Sequence, residues 1–551
     1  MNTVGTDRSA LFRDGSPARV ALAANAIVFG SNLCLMTLEL VAARLVARHL
    51  GASLYTWTSV IGVVLGGMSL GNYLGGWLAD QLRPRRLLAW QCIASSAGSL
   101  TILWLHPLMG VELRPDNIPW PLWILGCVLA TFFLPACLLG TIAPVAAKMV
   151  VETAKRTGAA VGKVYAWGAL GSIAGTLLTG FVFINLMGTQ AVVCSIAGAL
   201  SAAGVLLYLG EGAWGFATAC TWLLVVATIS VPACGRSAWA RRAGLRLGVR
   251  DDKLDEVRYE SNYYTIVVRD GDDPDTKVLV LDSLIHSYVP LDDPTRLEYD
   301  YERIYASITD GLVSTARPLS AMFIGGGGFV FPVYLEAVYD CERIDVAEID
   351  PKVKWTAQHE LTLPPDDETT IVTHLMDARN YVQDRLRQND SANDPMLYDF
   401  IYGDAFNDFS VPYHLTTKEF NEGVNRLLKP GGVYMINIID IYREGLGGFL
   451  GAYVATALET FPNVYVYSSS PDGPTDSRDT FVIACSKVPL DLEAQGASDK
   501  FFEPSGALFA WAEGAGRGGE METVLRRARG ITLTDDYVPV DNLLAPVFRE
   551  R

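Results

Sequence analysis

Three acidic residues and one glycine loop could do chemistry in the back half of this chain. Residues 319–353 read LSAMFIGGGGFVFPVYLEAVYDCERIDVAEIDPKV. An apolar run leads into Gly325, Gly326, Gly327 and Gly328. A helix-forming stretch follows from Pro332, and a second apolar run ends on Glu348. Missing side chains let a ligand approach the backbone, and the helix beyond would turn its N-terminus toward that ligand. Glu348 comes 23 residues after Gly325, a spacing that suits hydrogen bonds from a ribose diol. The loop has no Lys-Ser/Thr pair, so it points to a nucleoside and away from triphosphate hydrolysis. Asp377, in MDAR with Ala378, could accept from an adenine amine or cap a helix; spacing alone leaves both open. Asp404, in YDFIYGDAF, could hold an amine and take up its proton, or act as a turn residue.

Alternating elements must position these groups. Strands are expected at 321–324, 344–348, 370–374, 398–402 and 433–438, with helices at 332–339 and 416–428. The order is βαβαβαβ, a doubly wound sheet whose ligands sit at the carboxyl ends of strands. Gly325, Glu348, Asp377 and Asp404 all fall at such ends. Ahead of them, 257–269 and 277–282 read as strands separated by a turn at 270–275, and 296–314 reads as helix.

The front half is a different material. The chain has 551 residues and a net charge of −16, yet half of it is hydrophobic. Residues 1–235 carry 13 basic and 8 acidic side chains, and residues 236–551 carry 31 and 52. A one-domain soluble enzyme is excluded, and an acidic back half would repel nucleic acid. Apolar stretches of membrane-spanning length recur near 20–46, 54–79, 87–107, 119–147, 159–187, 188–210 and 213–234. Small residues such as Gly71, Gly75, Gly171 and Gly175 permit close helix packing. The first 19 residues are polar and do not form a cleavable signal. The basic loop DQLRPRR at 80–86, similar to a major-facilitator transporter loop, and the arginines at 236, 241, 242, 246 and 250 both read as cytoplasmic. Seven spans cannot satisfy both, so one stretch is expected to be re-entrant, interfacial or split. Glu39 in the first span reads as a site for a cation or proton, or as an internal partner of Arg44. The cysteines include no CxxC and no Cys/His cluster, and no metal site is expected.

The back half resembles the spermidine synthases, the polyamine aminopropyltransferases, over residues 257–485. The residues that carry the likeness are IGGGG, VAEID, MDAR, YDFIYGDAF and LLKPGG, with LVLDSLIH matching that family's small β-domain. The bundle joined to such a domain, with SVPYHLTTKEF and LTDDYVPVDNL, is similar to bacterial membrane-fused members. The fold this implies is an all-α transmembrane bundle followed by an α/β Rossmann-like domain of the S-adenosylmethionine-dependent transferase type. Its divisions are an N-terminal segment 1–19, a bundle 20–235, a basic linker 236–252, a small β subdomain 253–295 and a catalytic domain 296–551.

The resemblance implies aminopropyl transfer from decarboxylated S-adenosylmethionine, or a related donor, to a polyamine or other amine. Asp404 matches the family's base, Tyr299 the tyrosine that orients the attacking nitrogen, Glu348 the ribose ligand and Asp377 the adenine ligand. It also implies a homodimer at the inner membrane with a cytoplasmic soluble domain. Several positions depart from the family. Gly328 stands where an aspartate binds the donor's amino group, and Tyr264 and His286 stand where glutamines are usual. Asp300 follows the tyrosine, and Asp408 comes one residue late. These, with His414, are candidate acceptor-site residues; His286 and His414 could move protons or serve as structural donors. A methyltransferase on the same sheet, and a transporter or sensor that binds without turnover, are the alternatives.

Overall fold

The computed structural model describes residues 17–109, 115, 118–154, 156–209, 213–235, 237–250, 256–282, 284–313, 317–405, 411–470, 478–490, 509–511, 519–545 and 547. The chain divides into two compact units. One holds residues up to 254 with 260–262, and the other holds 255–259 and 263–551.

The first unit is helical: α1 (Pro17–Leu50), α2 (Leu54–Gln81), α3 (Pro84–Leu105), α4 (Trp120–Gly140), α5 (Ile142–Thr153), α6 (Thr157–Leu178), α7 (Ile184–Met187), α8 (Thr189–Tyr208), α9 (Ala213–Cys234) and α10 (Ala238–Arg246). Seven stretches among the described residues are long and apolar enough to cross a membrane, with α4 and α5 counted as one. The small residues act as expected. A Cβ on Gly71 would lie 2.1 Å from the Cys137 carbonyl oxygen on α4, and one on Gly171 would lie 2.2 Å from that of Phe29 on α1. The helices approach to backbone contact at these points.

Polar contacts mark the two ends of the bundle. At one end Arg85 donates to Leu209 O (2.7 Å), and Lys148 to Ala79 O (2.8 Å). At the other, Trp104 donates to Leu247 O (2.9 Å), Arg44 to the carbonyls of Ser261 and Asn262, and the Thr189 N–H to Glu260 (2.7 Å). The DQLRPRR loop and the basic linker therefore lie at opposite ends. If all seven stretches cross, the expectation that both face the cytoplasm fails: an odd number of crossings separates them.

Among the described residues the second unit holds two sheets. The small one has β1 (Val257–Glu260), β2 (Thr265–Asp270), β3 (Thr276–Leu281) and β4 (Leu284–Pro290) in sequential order. The run 257–269, expected as one strand, breaks between β1 and β2. Helix α11 (Asp300–Leu312) leads to the large sheet. Its alternation is β5 (Leu319–Ile324), α12 (Val330–Val338), β6 (Cys341–Glu348), α13 (Pro351–Glu360), β7 (Ile371–Leu375), α14 (Ala378–Ser391), β8 (Tyr398–Gly403), α15 (Lys418–Leu427) and β9 (Leu428–Ile441). It closes with α16 (Gly448–Leu458), β10 (Asn463–Ser468), β11 (Arg478–Ser486), β12 (Phe509–Trp511), α17 (Gly519–Arg527) and α18 (Val540–Leu544).

The strand order is β12-β10-β11-β9-β8-β5-β6-β7. Strands β7, β6, β5, β8 and β9 are parallel, and β11 runs antiparallel between β9 and β10. All six β5 residues are buried, as expected for a strand covered on both faces. The order reverses at β5, so a crevice opens between the carboxyl ends of β5 and β8.

Candidate active site

The glycine loop is the turn from β5 to α12. Gly325 has φ +96° and Gly327 φ +50°, conformations that L side chains rarely adopt. A Cβ on Gly325 would lie 2.3 Å from Asp404 O. The loop is thus pressed against the end of β8, and Asp404 N–H donates to Ile324 O (2.9 Å). Glu348, the last residue of β6, reaches back under the loop. Its carboxylate accepts the N–H groups of Gly326 (2.8 Å) and Asp350 (2.8 Å). Burial pushes its carboxyl up to about 7 even with these bonds.

Gly328 is constrained differently. Its N–H donates to Ser287 Oγ on β4 (2.9 Å), and a Cβ here would lie 2.6 Å from Ser287 Cβ. Ser287 fills the space that a side chain at 328 would need.

Asp404 follows β8 directly. Its Oδ2 accepts from the Tyr301 hydroxyl (2.9 Å) and its Oδ1 from Asn437 Nδ2 on β9 (2.8 Å). Burial raises its carboxyl, and these two bonds oppose the rise. It lines a cavity of about 300 Å³ together with Ile285, His286, Tyr299, Tyr301, Asn437 and Arg478. Tyr301, two residues on from Tyr299, donates to the carboxylate, and Tyr299, expected to orient the attacking nitrogen, lines the same cavity. The Tyr299 hydroxyl donates to Ile285 O (2.9 Å), and the ring packs on Tyr301 with centroids 5.3 Å apart. Helix α11 starts at Asp300, so Tyr299 is its N-cap while Tyr301 lies within the first turn. Glu302 is buried, with Oε2 unpartnered, and burial and the Asp404 charge push it well up.

Asp377 is the N-cap of α14, its Oδ1 accepting from Arg379 N–H (2.9 Å). Its Oδ2 contacts His414 Nε2 (2.8 Å). Burial favours the neutral form of Asp377, but the His414 bond and charge win and hold it below the usual range. His414 therefore orients Asp377. Ala378 is buried at the first position of α14. His286 lines the Asp404 cavity, and burial lowers it to about 4. Tyr264 packs near His286, ring centroids 6.5 Å apart. Asp300 is held by Arg303 (3.0 Å) and does not line the cavity. Asp408 lies outside the described residues. In the bundle no ion pair joins Glu39 to Arg44 among the described residues. Tyr301, Asn437, Ser287 and Arg478 were missed by the sequence reading. Of these, Tyr301 alone carried a signal, as the second tyrosine of EYDYE.

No family model matches the chain. Over 142 residues, 26% of its length, the chain is 32% identical to a polyamine aminopropyltransferase of Vibrio vulnificus, taking in 44% of that protein. It is also 32% identical over 165 residues to an N-terminal histidine N-methyltransferase of Emericella nidulans, covering 29% of this chain and 26% of that one. About a quarter of the chain is thus similar to polyamine aminopropyltransferases. The chain spans less than half the length of either relative. Among solved structures, a probable spermidine synthase from Corynebacterium glutamicum aligns with 52% of this chain and 97% of its own. The identity is 21% and the TM-score 0.41.

Proposed function

We propose that residues 255–551 form a transferase that moves an aminopropyl group from decarboxylated S-adenosylmethionine, or a related group from S-adenosylmethionine, to an amine. The observation that carries this is Asp404, a raised carboxyl fixed by Tyr301 and Asn437 in a cavity beside the glycine loop. The loop and Glu348 suit a nucleoside: a backbone cradle cleared of side chains, with a carboxylate beneath it. Glu348 would take the ribose diol, and Asp377, oriented by His414, the adenine amine.

The acceptor nitrogen must be neutral to attack. Its lone pair forms the C–N bond as the C–S bond breaks, and that electron pair leaves on sulfur as a neutral thioether. The new ammonium passes its proton to Asp404. Tyr301 would orient the carboxylate and the attacking nitrogen.

Methyl transfer is the second reading. It is favoured by Gly328, where Ser287 fills the space of a carboxylate that would hold an amine-only donor tail. Incubating the purified protein with each donor and a panel of amines, then weighing the products, separates the two. Products without added mass on the acceptor would refute both.

We further propose that the seven apolar stretches anchor this unit in a membrane with residues 236 onward in the cytoplasm. The arginine-rich linker and a charged donor that cannot cross lipid support that side.

A further inference from the structure

Residues 533–535, the start of the closing segment LTDDYVPVDNL, are fastened at three points. Leu533 is buried, and its N–H donates to Thr456 Oγ1 on α16 (2.8 Å). Its carbonyl accepts from the N–H of Lys418, the first residue of α15 (2.9 Å). The Asp535 N–H donates to the Glu419 carboxylate in the first turn of α15 (3.0 Å). These bonds set where the Asp535 carboxylate stands, independently of what that carboxylate meets.

It meets Arg379. The guanidinium Nη1 donates to Oδ1 (2.8 Å) and Nη2 to Oδ2. This two-pronged fork is the strong, directional form of an arginine–carboxylate pair, and it holds the Asp535 carboxyl below its usual range. Nη1 also donates to the His414 carbonyl (2.9 Å) and to Thr417 Oγ1 (3.3 Å). Arg379 is the second residue of α14, and its own N–H donates to Asp377 Oδ1 (2.9 Å). The His414 ring contacts Asp377 Oδ2 (2.8 Å). A chain of contacts therefore runs from Asp535 through Arg379 and His414 to Asp377. A carboxylate has about four acceptor sites. Asp377 Oδ1 takes the N–H groups of Arg379 and Asn380, and Oδ2 takes His414. Oδ2 thus keeps one acceptor site for a ligand N–H, and the His414 contact fixes its direction.

We propose that Asp535 is a positioning residue for the nucleoside: through Arg379 and His414 it aims the Asp377 carboxylate at the exocyclic amine of adenine. This deepens the transferase reading above and rests on Asp377 as the adenine ligand. It gives the closing segment a part in donor recognition, although 156 residues separate Asp535 from Arg379.

The test uses the full chain in detergent and two probes, 5′-methylthioadenosine and its 6-deamino analogue. Binding is measured by calorimetry, and turnover by mass spectrometry with each donor. The unaltered protein is expected to bind the amine-bearing probe about tenfold or more tighter than the analogue. Asp535→Asn is expected to reduce that ratio to about threefold or less while affinity for the 6-deamino analogue holds. The side chain is half-exposed, so the melting temperature should change little. Asp535→Glu keeps the charge and should restore most of the ratio. In an Asp377→Asn background, Asp535→Asn should change the ratio no further, because the two act through one contact. An unchanged ratio in Asp535→Asn would overturn the inference, and so would an equal loss of affinity for both probes, the mark of a merely structural role. No preference for the amine in the unaltered protein would overturn the adenine assignment of Asp377 and this inference with it. Amine preference that Asp535→Asn removes, with no turnover of any acceptor, would support the inference and overturn the transferase reading instead.

Discussion

Gly328→Ala probes the contact by which the small sheet closes the glycine loop. An ideal Cβ at 328 would lie 2.6 Å from Ser287 Cβ, 2.7 Å from Ser287 Oγ and 3.0 Å from Val289 Cγ2. Ordinary carbon contacts are about 3.5–4.0 Å, so the overlap approaches 1 Å. The backbone conformation at 328 is not left-handed, so the penalty is purely steric. Relief requires β4 to move, and Val289 on β4 is 1% exposed and packed in the core. Overpacking of this kind costs about 1–3 kcal/mol. Moving β4 also strains the Gly328 N–H to Ser287 Oγ bond, worth about 1 kcal/mol. Gly328→Ala should therefore destabilise the unit by roughly 2–4 kcal/mol. Ser287→Gly should cost about 1–2 kcal/mol through the lost bond and a glycine in a strand. The double variant should be more stable than Gly328→Ala alone, a coupling of at least about 1 kcal/mol. Thermal denaturation of the four proteins in one detergent measures it. Additive effects, or a neutral Gly328→Ala, would refute the steric account. The account also reaches the chemistry: Gly328→Asp together with Ser287→Gly should shift donor preference toward the decarboxylated form, which Gly328→Asp alone should not do cleanly.

Asp404→Asn should lower turnover about 10²–10⁴-fold with nucleoside binding retained, and Tyr301→Phe should cost more than Tyr299→Phe; steady-state kinetics and calorimetry decide. Because burial raises Asp404, the base form is lost as pH falls through that raised value, so the acid limb of the rate profile should sit above the ordinary carboxylate range. Burial pushes the Glu348 carboxyl up to about 7, against 4.5 for the free group. Its stabilising contribution is full below about 4.5 and is lost as pH rises through 7, about 3 kcal/mol in all, and Glu348→Gln should flatten that slope in melting temperature. A tag inserted between residues 82 and 83 should be reached by protease from outside intact cells while a C-terminal tag is protected; the reverse would place residues 236 onward outside.

The strand ends carrying Gly325, Glu348, Asp377 and Asp404 were legible because each depends on local grammar: an apolar run, a turn and an acid at its edge. The apolar stretches were legible for the same reason. What could not be read depends on packing between distant segments. Tyr301 lies two residues from Tyr299, and it is Tyr301, in the first turn of α11, whose hydroxyl donates to Asp404. His414 finds Asp377 across 37 residues. Asn437 and Arg478 share the cavity wall only because β11 runs antiparallel beside β9 in one register. A slip of one residue would turn Arg478 to the other face. The glycine loop is thus written in short motifs, while the far wall of the Asp404 cavity is written in the register of β9 and β11. Substitutions at the β9–β11 wall would alter the cavity lining without touching the glycine loop.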